Sequence, residues 1–254
     1  MTLKTISLVG FIVIAGLIVY SFQSTEYPKL EMQVSAAPAG GHHVLIFGAT
    51  RNTGLEAARI LTARGNRVTA FVRPGSDRSL LEPLGVEFVS GDALEKDTVT
   101  AAFTNNDYTS VLTTISCFRC DPKPDFLGNR NIFDAAATTG VQRVLLVSTI
   151  GAGDSYETAP WLTKKFLSGI LPLKTQAEDY LISTGLNYTI IRPGGLKSDP
   201  PTGRAYLSES RNTMGIINRA DLADLIVQAI DDNSTSGKIL AAVDADLVFP
   251  WDMF

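Results

Sequence analysis

Histidine and cysteine are nearly missing from this chain, with two of each in 254 residues. Two cysteines cannot build a disulfide-dense scaffold, and two histidines without cysteine or carboxylate at ligand spacing form no metal-site pattern, so no metal is expected. Basic residues are also few, 22 against 26 acidic, for a formal net charge of −4. That balance leaves no broad cationic surface to neutralise a phosphate backbone, which argues against nucleic acid as a partner. Internal repeats and low-complexity segments are absent after residue 42. What is present is 45% hydrophobic composition, enough for one sizeable core and one main domain.

Charge is absent altogether from Thr5 to Thr25, a run dominated by Ile, Leu, Val and Phe. A helix rising about 1.5 Å per residue needs roughly 20 apolar residues to span the hydrocarbon core, and Tyr20 and Phe22 sit where interfacial aromatics would. The expectation is a retained transmembrane helix over 1–25 in a single-pass membrane protein. A cleaved signal peptide is the alternative, since Val34-Ser35-Ala36 resembles a small-residue cleavage site, although it lies well beyond the apolar run. Pro28 and Ala36-Ala37-Pro38-Ala39-Gly40-Gly41 read as a flexible tether over 26–42.

From residue 43 to 254 short apolar runs alternate with amphipathic stretches ended by glycine. Val44–Phe47, Val68–Val72, Val86–Val89, Val111–Ile115, Val144–Val147 and Tyr188–Ile191 are predicted strands. Leu55, Ala58, Ile60 and Leu61 fit one helical face before Gly65, and a second helix is predicted from about Asn131 to Thr139. Apolar strands alternating with helices imply an α/β domain with a doubly wound parallel sheet, the Rossmann fold.

In such a sheet ligands bind beyond the carboxyl ends of the strands, where the strand order reverses, so the turn after the first strand should carry phosphate chemistry. It reads Gly48-Ala49-Thr50-Arg51-Asn52-Thr53-Gly54. Gly48 can make the tight turn and Gly54 permits close helix approach, while the amides around Thr50, Arg51, Asn52 and Thr53 can receive a pyrophosphate in the positive field of a helix start. The glycine pattern is incomplete. As G-x-x-G-x-x-G its middle glycine is Arg51; as G-x-x-x-G-x-G it has Asn52 for a glycine, and asparagine tolerates φ > 0 best. An ordinary strand-to-helix turn competes with this reading, but the strand before, the helix after and the cationic neighbours favour a nucleotide.

At the end of the second strand, where a site for NAD places Asp or Glu against the ribose hydroxyls, stands Arg73. With Ser76, Arg78 and Arg51 it makes a loop suited to a 2′-phosphate, so NADP, as NADPH, is expected ahead of NAD. For Arg78 alone a solvated surface charge is the simpler reading.

These residues, together with Gly91-Asp92, Val147-Ser148-Thr149, Lys174 and Ile191-Arg192-Pro193-Gly194-Gly195, resemble an atypical short-chain dehydrogenase/reductase over nearly everything from His43 to Val243. The chain is most similar to the NAD(P)H-binding branch that includes flavin and biliverdin-IX-beta reductases and NmrA-like proteins. That resemblance implies Asp92 against adenine and Thr113, Thr114 and on to Ser116 along the middle of the cofactor. It further implies Ser148 or Thr149 beside the nicotinamide, Lys174 near the ribose, and Pro193 and Gly194 shaping the nicotinamide pocket. One departure bears on mechanism: the family's catalytic pair is Tyr-x-x-x-Lys, and four residues before Lys174 stands Ile170. Tyr156 and Tyr180 lie off that spacing and are read as packing. Without a positioned acid, carbonyl reduction loses about 10²–10⁴-fold in rate, whereas a conjugated acceptor delocalises charge and asks less of the protein.

The expected activity is therefore NADPH-dependent hydride transfer to a small conjugated acceptor, flavin- or quinone-like. Tyr156–Leu173 and Lys197–Asn212, the longest irregular stretches, form the substrate lid. The alternative is a non-catalytic NADP-binding module, a membrane-tethered assembly factor or redox sensor with a membrane protein partner; an epimerase or dehydratase using bound NAD is disfavoured by Arg73. Dependence on NADPH points the domain to the cytoplasmic side, against a weak outward lean from Lys4 and Lys29. Cys117-Phe118-Arg119-Cys120 follows the fourth strand beside the crevice. A redox dithiol there is conceivable, since Arg119 would favour thiolate, but without a thioredoxin context a chance pair is the preferred reading. Asp221 is expected to cap a helix, Trp161 to pack in the core, Trp251 and Phe254 to pack or touch a membrane surface, and His42 and His43 to be solvated or at a strand edge.

Overall fold

The computed structural model describes residues 27–32, 41–104 and 107–247. The apolar runs fold as strands: β1 (His43–Phe47), β2 (Arg67–Val72), β3 (Glu87–Ser90), β4 (Ser110–Thr113), β5 (Arg143–Val147) and β6 (Tyr188–Pro193). Then follow β7 (Gly195–Lys197), β8 (Ala205–Ser208), β9 (Ile216–Asn218) and β10 (Lys238–Asp244). Eight of them form one sheet in the order β3-β2-β1-β4-β5-β6-β10-β8, with β7 and β9 as a separate parallel pair. Every pairing in the large sheet is parallel except β10 with β8. The order reverses between β1 and β4, which is the switch point where an open α/β sheet has its crevice.

The helices are α1 (Asn52–Ala63), α2 (Lys96–Phe103), α3 (Pro124–Ala137), α4 (Trp161–Phe166), α5 (Leu171–Ser183) and α6 (Arg219–Asp231). Side chains alternate across a strand, so β1 feeds two cores at once. Val44 and Ile46 pack with Leu55, Ala58 and Leu61 of α1 and Leu222 and Ile226 of α6. Leu45 and Phe47 pack with Phe103 of α2, Ile132 and Phe133 of α3 and Leu181 of α5. Both faces are thereby covered, which is why β1 is buried at all five positions.

The α/β expectation holds, but its membrane part is corrected. Among the described residues no helix is long and apolar enough to cross a membrane. The longest, α3, has 14 residues, about 21 Å of helix against a hydrocarbon core of about 30 Å. The segment 1–25 lies outside the described residues, as do Trp251 and Phe254, so the transmembrane helix and the single-pass location are not carried forward. Within the expected tether, Leu30 donates its amide to the Leu207 carbonyl at 2.7 Å and packs with Met32 on the core, along the β8 edge.

Sequence reading also stopped short in the carboxyl-terminal half. β10 is built on Leu240-Ala241-Ala242-Val243, whose alanines lack the β-branched signature of a strand. α3 begins at Pro124, ahead of Asn131, because Pro suits the first helical position and buried Asp125, Asn129 and Asn131 look like loop residues in one dimension. Asn218, not Asp221, stands at the start of α6. Asp221 is buried and accepts from the amides of Thr202 and Gly203, both at 2.9 Å, so it anchors the loop that precedes β8. His43 is likewise buried, between Asp107 and Thr69 at 2.9 Å each.

Candidate functional site

The register of the parallel strands brings most of the candidate residues to one edge of the sheet. Phe47 pairs with Phe71 on one side and Thr113 on the other, so the glycine turn, Arg73 and Thr114 all leave the carboxyl ends of adjacent strands. Val72 pairs with Ser90 and Val147 with Ile191, which adds Asp92, Ser148 and Pro193 to the same rim.

The glycine turn is made by backbone shape. Gly48 has φ +91°, and a Cβ on Gly54 would stand 2.3 Å from the Gly48 carbonyl oxygen. A side chain at either position would fill the cradle through which α1 approaches the turn. Asn52 has φ +53°, in the left-handed region where asparagine replaces glycine at least cost. Arg51, at the N-cap of α1, makes no side-chain cap bond. The first-turn amides are thus without the side-chain acceptor that usually satisfies them. Thr50 is half-buried and Thr53 buried. Thr114 closes the turn from β4, its hydroxyl donating to the carbonyls of Phe47 at 3.2 Å and Gly48 at 3.3 Å.

Arg51 and Arg73 are both exposed and, among the described residues, neither faces a carboxylate. Arg78 differs, its guanidinium lying 5.1 Å from the centroid of the Phe88 ring. Asp92 is half-buried and uses Oδ1 to accept the Leu94 amide at 2.9 Å. Thr113 is turned away from the crevice: fully buried, it donates to Asn129 Oδ1 at 2.7 Å, inside the α3 layer.

Lys174 projects from α5 into the gap between the ends of β4 and β5. It is buried; its ammonium donates to the carbonyls of Val147 at 3.1 Å and Ile115 at 3.3 Å and faces Asp125 Oδ1 at 3.6 Å. Burial pulls its pKa below the ordinary 10.5, while Asp125 and Glu178 pull in the opposite direction. Next to Val147, the Ser148 hydroxyl is buried and finds no hydrogen-bond partner among the described residues. Thr149 is half-buried, its hydroxyl spent on the Ile150 carbonyl at 3.2 Å. Ile170 is buried at the start of α5, so an apolar side chain packs where the resembling family carries its phenol.

A second polar cluster escaped sequence reading. The Arg192 guanidinium, on β6, bonds Glu178 twice, at 3.1 and 2.7 Å, and Asp154 at 2.5 Å. Burial works against its charge, but the bonds and charges of Glu178 and Asp154 prevail and raise its pKa. Gly153, at φ +53°, lies against it, and a Cβ there would meet Arg192 Nη2 at 2.3 Å and Glu178 Oε2 at 2.9 Å, so a side chain would have to push the ion pair aside. The available signal was Lys174 and Glu178, one turn apart on α5 and flanked by the apolar Leu171, Ala177 and Leu181, an arrangement that buries both charges on one face. Gly194 packs on Gly215, with 2.2 Å from a built Cβ to the Gly215 carbonyl oxygen.

The two expected lid stretches meet where the Thr158 hydroxyl donates to the Arg211 carbonyl at 3.1 Å. The first contains α4, which holds Trp161 71% and Phe166 75% exposed. Trp161 is therefore not a core residue: it sits on a six-residue helix that buries none of its side chains. Tyr156 lies under the Lys164 ammonium at 4.6 Å, and Tyr180 donates to Asp134 at 2.5 Å. The paired cysteines are joined as a disulfide.

A family model for NAD(P)H-binding proteins matches residues 48–233, and the chain belongs to that family. It is 32% identical over 237 residues to an uncharacterised chloroplastic protein of Arabidopsis thaliana, covering 88% of this chain and 84% of that one. Over a shorter stretch it is 34% identical to sanguinarine reductase of Eschscholzia californica, covering 45% of this chain and 42% of the relative. Among solved structures, the anaerobillin reductase of Escherichia coli O157:H7 superposes with a TM-score of 0.72 at 28% identity, over 81% of this chain and 98% of that one.

Proposed function

We propose that this member of the NAD(P)H-binding family is an NADPH-dependent oxidoreductase that reduces a small conjugated acceptor, flavin- or quinone-like. The observation that carries the reading is the Ser148 hydroxyl, buried without a partner among the described residues at the carboxyl end of β5, beside the carbonyl that Lys174 grips. Such a group costs about 1–3 kcal/mol when left unsatisfied, a cost that a ligand atom bonding it removes. The vacancy of side-chain atoms at Gly48 and Gly54 and the uncapped start of α1 fit a pyrophosphate.

In this reading the turn from Gly48 to Gly54 would hold the pyrophosphate, Arg51 and Arg73 would hold the 2′-phosphate and Asp92 would meet adenine. Thr114 lines the middle of the cleft, and Pro193 and Gly194 wall the nicotinamide end. NADPH bound there supplies a hydride. Ser148 would donate a hydrogen bond to the acceptor and polarise it, keeping its own proton. Lys174 acts as a positioning residue, clamping the ends of β4 and β5 so that Ser148 and Thr114 keep their places across the crevice. Ile170 supplies no proton, which favours an acceptor able to delocalise the incoming charge. Two relatives named as reductases, of anaerobillin and of sanguinarine, support an acceptor-reducing role.

The test is oxidation of NADPH by the purified full chain in the presence of flavin, quinone, anaerobillin or sanguinarine. Turnover with at least one acceptor, reduced about 10²-fold in Ser148→Ala, is the expected result; NADPH bound without turnover on any of them defeats the reading. Ile170 favours a second reading, a module that binds the dinucleotide without spending it. A coenzyme that co-purifies and resists exchange marks that case.

A further inference from the structure

The loop that leaves β4 joins, in chain order, the glycine turn to the buried charges beneath α5. Thr114 bonds the glycine turn, and the Ile115 carbonyl accepts from Lys174. The Ser116 hydroxyl donates to Asp125 Oδ1 at 2.6 Å and the Cys117 amide to Asp125 Oδ2 at 3.2 Å. Asp125 is fully buried and is the carboxylate that faces the Lys174 ammonium. Cys117 then closes a four-residue ring with Cys120, Cα–Cα 5.4 Å. That ring is within reach of solvent: both cysteines are half-buried, Arg119 is exposed and Phe118 is 60% exposed.

We propose that Cys117–Cys120 is a thiol–disulfide exchange site for a dithiol reductant, and that its oxidation state sets how firmly the coenzyme crevice is held. The inference rests on the coenzyme reading above. A thiolate of the dithiol attacks one sulfur, the S–S bond breaks, and the other cysteine leaves as a thiolate. The second thiol of the dithiol then resolves the mixed disulfide. The protein gains two electrons and two protons, and the dithiol ends as its own disulfide.

The physical consequence follows from the Cys117 amide. While the ring is closed, the backbone from 117 to 120 has little freedom, and the amide stays on Asp125. Opening the ring returns that freedom, and its entropy competes with a single hydrogen bond. Asp125 then keeps the Ser116 hydroxyl and the Lys174 ammonium, but the backbone from Ile115 to Cys117, which carries one of the two carbonyls that Lys174 grips, is held less firmly between β4 and β5.

The experiment compares the full chain untreated, reduced with dithiothreitol, and as the Cys117→Ser/Cys120→Ser double variant. Reduction should release two alkylatable thiols per chain, speed amide hydrogen exchange over residues 114–125 without coenzyme, and weaken NADPH about three- to tenfold. The double variant should match the reduced protein under both treatments. Two released thiols with unchanged exchange and affinity overturn the proposal, as does a double variant that responds to dithiothreitol like the wild type. Absence of NADPH binding in every sample overturns the coenzyme reading instead, and the exchange difference, read without coenzyme, then decides the stiffening by itself.

Discussion

The two sides of the crevice hold their polar groups in opposite ways. On the glycine-turn side Gly48, Asn52 and Gly54 act through backbone shape, and Arg51 and Arg73 stand exposed without a carboxylate among the described residues. On the α5 side Lys174, Asp125, Glu178 and Arg192 are buried charges, each held by a partner. A solvated guanidinium can be exchanged at little cost to the fold, whereas a buried charge that loses its partner cannot recover the lost hydration. Affinity and stability are therefore expected to separate along the sheet, and four substitutions test that division, from the largest effect on the fold to the smallest.

Glu178→Ala should be the most damaging. It takes two of the three carboxylate bonds from the Arg192 guanidinium and leaves it the exposed Asp154 alone; breaking a buried pair costs about 3–5 kcal/mol. Urea unfolding measures it, and a loss below about 1 kcal/mol would place Arg192 in reach of water. Gly54→Ala follows at about 1–3 kcal/mol, since the added methyl must displace the Gly48 carbonyl. It should also abolish NADPH binding, and a variant that binds normally would remove the turn from the site.

Lys174→Met sharpens the α5 side through pH. The folded-state pKa of Lys174 lies below its ordinary 10.5, chiefly because of burial. Between the two values the unfolded chain holds more protons, so wild-type stability should rise with pH through that window, by up to about 1.4 kcal/mol per pH unit. Against Lys174→Met, the wild type should gain as pH is raised towards 10.5; parallel profiles for the two proteins contradict a buried ammonium. Arg73→Asp should affect the fold least, within about 0.5 kcal/mol, yet weaken NADPH far more than NADH in calorimetry. Equal losses for both coenzymes would remove Arg73 from 2′-phosphate recognition.

The same division explains what could be read from residues in order. Six strands, the glycine turn and Gly65 behind α1 were legible because each is a local demand: a strand packed against helices needs an apolar run, and a left-handed turn needs glycine or asparagine. Thr113 and Thr114 show where that stops. They are adjacent in β4 and its exit, but alternation sends one hydroxyl to Asn129 and the other to the glycine turn. The choice between Ser148 and Thr149 was equally invisible, since it turns on which hydroxyl the surrounding backbone leaves unused.

By itself the sequence determined the α/β alternation, the place of the glycine turn and the arginine that follows β2, because these depend on residue type and spacing within one supersecondary unit. Only the tertiary structure decided that β10 and β8 complete the sheet, that Trp161 stays outside the core and that Asp125 serves both Lys174 and the disulfide loop. Lys174 meets a carbonyl 59 residues away, and Arg192 a carboxylate 38 residues away. The desolvation of a charge is set by whatever the fold packs around it, and no local pattern of residues encodes that.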